Sequence, residues 1–195
     1  MIYFPLISGL MALVIAHRTA AALAPENSLR GIEQAASCHA NWVEMDVRLS
    51  RDGELVLMHD ESLERTSSGS GPVGERSLEE LKGLRLRNRD GSLDQSSTVP
   101  TLKEAITLAR ELGLGLVVEM KEEGLEGLLA ESTCREDCIV TSFYHASLCE
   151  LSEISSLKTG IIISALPINP VRLALEAGAS AIFPRRVNAR LFKEA

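Results

Sequence analysis

The stretch Trp42-Val43-Glu44-Met45-Asp46-Val47 decides the fold. Side chains of a strand alternate between two faces, so Val43, Met45 and Val47 share one face and Glu44 and Asp46 share the other. One such carboxylate pair is ordinarily a solvated strand face. Here the device recurs. Val117-Val118-Glu119-Met120-Lys121 places Glu119 and Lys121 on one face of a second apolar run. Ile15-Ala16-His17-Arg18 and Leu57-Met58-His59-Asp60 each end an apolar run in a histidine followed by a charged residue. Burying isolated charges is costly, so four strand ends of this kind imply that the charges share a site. In a closed barrel of parallel strands, the inward positions at the C-terminal strand ends face one mouth. An open sheet spreads them along an edge, with ligands at a switch point. Convergence therefore predicts a TIM-type (β/α) barrel.

The rest of the chain alternates in the same way. Strands are expected at 12–17, 42–49, 54–59, 115–120, 138–143, 159–164 and 181–184. Helices are expected from Asn27 or Ser28 to about His39, from Thr101 to Leu112, and at 125–132, 146–155 and 170–177, with another beginning at 189–195. Asn27 and Ser28 are alternative N-caps, and Thr101 with Glu104 forms a capping box. Arg51-Asp52-Gly53-Glu54 is a tight turn. Residues 61–98 break the rhythm, being rich in Ser, Gly and charge with one short helix at 78–84. They form an insertion after the third strand, too long for a simple connection.

The length of 195 residues predicts a single domain spanning 1–195. Hydrophobic residues at 45% and aromatics at only 4% suit a core of branched aliphatics. A net charge of −7 argues against a nucleic-acid partner. The apolar start, MIYFPLISGLMALVIA, lacks the basic region of a signal peptide and is short for a membrane span, so no stable membrane insertion is expected. Cys134, Cys138 and Cys149 with His145 have zinc-like spacing, but the apolar run between them reads as a strand that would hold its ends about 16 Å apart. The thiols are read as free, in a cytoplasmic protein.

The residue types at the mouth suggest roles. Glu44, Asp46 and Glu119 are hard oxygen ligands suited to a divalent cation, Mg²⁺ or Ca²⁺, and no thiolate accompanies them. His17 and His59 titrate near neutrality and can act as base and acid. Arg18 and Lys121 can hold a phosphoryl group. Glu26, Asn27 and Asp60 fit equally well as groups that orient the site or, for Glu26-Asn27, as a helix cap. Arg48 and Arg51 read as surface residues, and Lys103 and Glu104 as a helix face.

At these residues the chain resembles the glycerophosphodiester phosphodiesterases. The matching stretches are HRTAAALAPENS (17–28), WVEMDVRLSRDGELVLMHDESLERTSSGSG (42–71), VPTLKEAI (99–106), VVEMK (117–121) and TSF (141–143). The resemblance implies metal-dependent hydrolysis of a small-molecule glycerophosphodiester to sn-glycerol 3-phosphate and an alcohol. It implies His17 and His59 as the catalytic acid–base pair, Glu44, Asp46 and Glu119 as metal ligands, and Arg18 and Lys121 as phosphate contacts. Alternatives are a related phosphodiesterase acting on lysophospholipids or other phosphodiesters, and a non-catalytic shortened homologue. The sequence departs from the family twice. Thr19 stands where the family has glycine. The family's last-strand motif, Trp-Thr-Val-Asn-like, has no counterpart, so a barrel incomplete at the C-terminus is expected, with seven strands recognisable and the eighth missing. A shortened chain, the apolar segment 1–10 covering the gap, or a homo-oligomer covering the open edge would each account for this.

Overall fold

The computed structural model describes residues 2–5, 12–133, 137–165 and 167–185. The helix expected at 189–195 and Cys134 lie outside the described residues. The chain divides into two compact units, Met1–Val117 and Val118–Ala195, and the division falls inside one strand.

The first unit holds β1 (Ile2–Pro5), β2 (Ala12–Ala16), β3 (Trp42–Leu49), β4 (Leu55–Leu57) and the start of β5 (Gly115–Met120). Its sheet runs β1-β2-β3-β5, with β4 attached to β3. β2 and β3 are parallel, joined through α1 (Leu29–Ser37). β1 pairs antiparallel with β2, from Ile2 opposite Ile15 to Pro5 opposite Ala12. The apolar segment before Ala12 thus includes an antiparallel partner for β2. Val43, Met45 and Val47 are fully buried, as are Ile32 and Ala35 of α1 and Ala105 and Ala109 of α3 (Leu102–Glu111). Trp42 and Gly115 pack so closely that a Cβ on Gly115 would lie 2.4 Å from the indole ring.

The third expected strand differs in direction. β4 is antiparallel to β3, with Val47 opposite Leu57 and Leu49 opposite Leu55. The cause is the turn: Gly53 takes a left-handed φ of 86° and its amide closes on the Ser50 carbonyl, which reverses the chain within a few residues. A parallel partner would have needed a crossover of a dozen residues or so. β4 still delivers His59, because the Met58 amide bonds the Asp46 carbonyl at 3.0 Å beyond the end of the ladder.

The insertion is folded around its own core. Leu63, Val73, Leu81 and Leu86 pack with Val56, Met58 and Val99 in one buried cluster. α2 (Leu78–Lys82) carries a complete capping box, Ser77 with Glu80. An isolated bridge between Val56 and Thr101 closes the base of the excursion. The buried Asp94 carboxylate, bonded to Arg30, ties it to α1.

The second unit continues the alternation. Its sheet runs β5-β6-β7-β8, with β6 (Cys138–Ser142), β7 (Lys158–Ile163) and β8 (Ala181–Pro184) parallel. The helices are α4 (Glu126–Ser132), α5 (His145–Ile154) and α6 (Pro170–Glu176). Gly160 of β7 lies under Phe183 of β8, leaving no room for a side chain.

Candidate active site

The site begins where β2 ends. His17, Arg18 and Thr19 form a single 3-10 turn, and Arg18, Thr19 and Ala20 all have positive φ (48°, 54° and 66°). Three successive left-handed residues without a glycine are strained, and a β-branched one among them especially so. Local bonds hold the turn. The Thr19 hydroxyl accepts the Ser28 amide at 2.9 Å, and the Asn27 amide donates to the Arg18 carbonyl at 3.0 Å. Thr19, which stands where a glycine was expected, is wholly buried and itself takes the left-handed backbone. The turn in turn sets the Arg18 amide 2.6 Å from the Glu44 carboxylate.

Asn27 and Ser28, alternative caps in the sequence, have separate tasks. Ser28 is the N-cap of α1, accepting the Gly31 amide at 3.0 Å. Asn27, left-handed at φ 55°, turns its amide side chain to Asp46. Its nitrogen donates to Oδ2 at 2.8 Å and its oxygen accepts the Asp46 backbone N–H at 3.0 Å. Asp46 is fully buried and Glu44 nearly so.

Glu44, Asp46 and Glu119 each offer one carboxylate oxygen, and these oxygens lie within 4.8 Å of one another. A basic side chain stands beside each. The His17 ring is 3.8 Å from Glu44, Arg18 Nε is 3.7 Å from Asp46 Oδ2, and Lys121 Nζ is 2.7 Å from Glu119. Burial lowers the His17 pKa and the charge of Arg18 lowers it further, against the pull of Asp46. Three hard oxygen donors so close, two of them on one buried strand face, fit an oxygen-seeking divalent cation, whose charge would relieve their repulsion.

His59 is held from behind. Its Nδ1 lies 2.6 Å from Asp60 Oδ1, and its carbonyl accepts Arg48 Nε at 3.1 Å. Arg48, expected at the surface, is thus half-buried against the site. Arg51 does lie at the surface and pairs with Glu80. Glu26 Oε1 accepts Arg18 Nη1 at 3.2 Å. Asp60 and Glu26 are both bonded by Arg65, a residue that sequence reasoning passed over. The signal available was its position, five residues beyond Asp60 at the mouth of the insertion. Glu104 belongs to the α3 cap and to an ion pair with Lys82, as a helix-face residue would.

Clustered carboxylates with flanking imidazoles and cations on a strand–helix framework define a hydrolase acting on phosphate esters. The chain belongs to the glycerophosphoryl diester phosphodiesterase family, whose profile matches residues 17–182. It is 32% identical over 182 residues to a glycerophosphodiester phosphodiesterase of Caldanaerobacter subterraneus, covering 88% of this chain and 75% of that relative. Among solved structures it is similar to a phosphodiesterase of Oleispira antarctica in complex with the product sn-glycerol-3-phosphate. That likeness has a TM-score of 0.82 at 29% identity, over 93% of this chain and 78% of the other. A glycerophosphodiester phosphodiesterase from Agrobacterium tumefaciens matches with a TM-score of 0.76 at 28% identity, over 91% and 80% of the two chains. The fold is accordingly the TIM-type α/β fold of these enzymes, and the chain is a phosphoric diester hydrolase by family.

Proposed function

We propose that the chain hydrolyses glycerophosphodiesters to sn-glycerol 3-phosphate and an alcohol, using His17 and His59 as acid and base. The observation that carries this reading is the convergence of Glu44, Asp46 and Glu119 beside His17 and Arg18. In this reading the three carboxylates hold a divalent cation, Mg²⁺ or Ca²⁺, which would polarise a phosphoryl oxygen and neutralise developing charge. Arg18 and Lys121 bind the remaining phosphate oxygens and keep the phosphorus in place. His59, with Nδ1 facing a carboxylate, presents Nε2 for proton transfer. His17, whose pKa is lowered, is neutral at pH 7 and suited to accept a proton. The product named in the Oleispira antarctica structure supports a glycerol phosphate moiety as the recognised half of the substrate.

The reading includes one (β/α) domain, supported by the strand β5 that both units share. It also includes a reducing, cytoplasmic setting, supported by free thiols at Cys38 and Cys149. Among the described residues no helix is long and apolar enough to cross a membrane.

The test is release of glycerol 3-phosphate from glycerophosphocholine with Mg²⁺ or Ca²⁺, by the intact chain and by His17→Ala and His59→Ala. Loss of turnover in both variants, and on chelation, is expected. Turnover at the parent rate in both variants would sink the assignment.

A further inference from the structure

Arg65 lies in a short turn at the mouth of the insertion. Leu63 on one side is fully buried, as is Ser67 on the other, and Thr66 is nearly so. The Ser67 amide and hydroxyl both bond the Leu63 carbonyl, at 3.0 and 2.8 Å. The backbone that carries Arg65 is therefore fixed by the small core of the excursion.

From that base the guanidinium uses three N–H groups on two carboxylates. Nη1 and Nη2 donate to Glu26 Oε2 and Oε1 at 2.9 and 2.7 Å, a bidentate pair, and Nε donates to Asp60 Oδ2 at 2.5 Å. Each carboxylate has a further partner on the site side. Asp60 Oδ1 faces His59 Nδ1 at 2.6 Å, and Glu26 Oε1 accepts Arg18 Nη1 at 3.2 Å. The chain of contacts thus runs His59–Asp60–Arg65–Glu26–Arg18. Exposed ion pairs are usually worth little, but a bidentate arginine within a network is the exception. The carboxyls are poised to serve as acceptors. The Arg65 hydrogen bond, with that of His59, holds Asp60 well below the usual carboxylate range despite partial burial. Burial would raise Glu26, but Arg65 and Arg18 outweigh it.

We infer that Arg65 is a positioning residue for the hydrolysis proposed above, clamping Asp60 and Glu26 so that His59 and Arg18 are held in register. The clamp has a chemical consequence. A carboxylate fixed on Nδ1 selects the tautomer with the proton there and leaves Nε2 as the exchanging nitrogen. The bidentate half of the fork stops Glu26 from following Arg18 as that side chain moves. The insertion thereby acts on the reaction through one side chain that touches no substrate.

The inference rests on the hydrolase reading, so its test has an arm independent of turnover. Arg65→Ala, Arg65→Lys, Asp60→Asn and the Arg65→Ala/Asp60→Asn double variant are compared with the parent chain. Nitrogen NMR of labelled imidazole follows His59, and steady-state hydrolysis of glycerophosphocholine with Mg²⁺ is measured alongside. Arg65→Ala is expected to retain its circular dichroism spectrum, lower kcat about tenfold to a hundredfold and mix the two tautomers of His59. Arg65→Lys recovers little, because a single ammonium cannot reproduce the fork. The double variant should lose no more than the worse single one, since both break one chain of contacts. An unchanged His59 tautomer in Arg65→Ala, a lysine variant at the parent rate, or additive losses would overturn the inference. A parent chain without turnover would sink the hydrolase reading, and the imidazole signals would still report whether Arg65 sets His59.

Discussion

Asn27 and Gly31 show how one residue can decide the site. Asn27 fits Asp46 with a donor and an acceptor at once, which no carboxylate or apolar side chain can do. Asn27→Ala should therefore leave Asp46 in place but poorly oriented. The expected result is a tenfold to hundredfold weaker response to Mg²⁺ or Ca²⁺, about the range for orienting groups behind metal ligands, measured by calorimetric titration. Gly31 has a different constraint. A Cβ there would meet the Thr19 carbonyl oxygen at 1.9 Å and its hydroxyl at 2.5 Å. The Thr19 turn cannot retreat, because it is buried and bonded to Ser28. Gly31→Ala should cost about 3 kcal/mol or more, read from denaturant unfolding, and should impair turnover as His17 and Arg18 shift with the turn. The chemistry of Glu44, Asp46, His17 and His59 was legible because strand parity alone puts them on shared faces or at strand ends. The turn was not legible: nothing in HRTAA announces three left-handed residues. Arg65 was hidden for a related reason, since its partners are 39 and 5 residues away and no periodicity joins them.

Among the elements, α3 begins at a complete capping box, with the Thr101 hydroxyl accepting the Glu104 amide and the Glu104 carboxylate accepting the Thr101 amide at 2.7 Å. Thr101→Ala should destabilise the chain by about 1 kcal/mol in thermal or denaturant melts. The link between α1 and the insertion gives a pH signature. Hydrogen bonds from Ser96, against the effect of burial and with help from Arg30, hold the Asp94 carboxyl at about 2, below its ordinary value of 3.8. A depressed carboxyl stabilises the fold above its ordinary pKa, and the contribution disappears as pH falls from about 3.8 towards 2. Asp94→Asn should thus be less stable than the parent at neutral pH, and the two melting curves should converge only as the pH falls to about 2. The positions of the other strands and of the α-helices were readable from apolar runs and caps, but that of β1 was not. The antiparallel direction of β4 was not, because a run of four or five apolar residues looks the same in either direction. Only the brevity of the turn at Gly53 carried that information.

At the scale of the whole molecule, the grouped carboxylates set a dependence on ions. Glu44, Asp46 and Glu119 repel one another, and each neighbouring cation offsets only part of that charge. An ion that binds the folded chain and not the unfolded one should raise its melting temperature. At a hundred times the dissociation constant the gain is about 2.7 kcal/mol. Differential scanning calorimetry with Mg²⁺, Ca²⁺ and a chelator measures this directly, and Glu44→Gln should reduce the ion's effect while raising the melting point of the ion-free protein. Strand–helix order was enough for the α/β class, and the charges at four strand ends chose the barrel over the open sheet. They gave no view of the insertion as a packed body, because the seven residues of the cluster, four from the insertion and three flanking it, are spread over 44 positions from Val56 to Val99 among polar neighbours.

That packed body limits how the chain can be re-engineered. Val56 and Met58, which come just before His59, share one cluster with Leu63, Val73, Leu81, Leu86 and Val99. Trimming the polar excursion as if it were spare loop would strip the cover from the strand that presents the histidine. Exchange with a relative would succeed only as a cassette cut at its base, outside the Val56–Thr101 bridge, with a partner for Arg30 included.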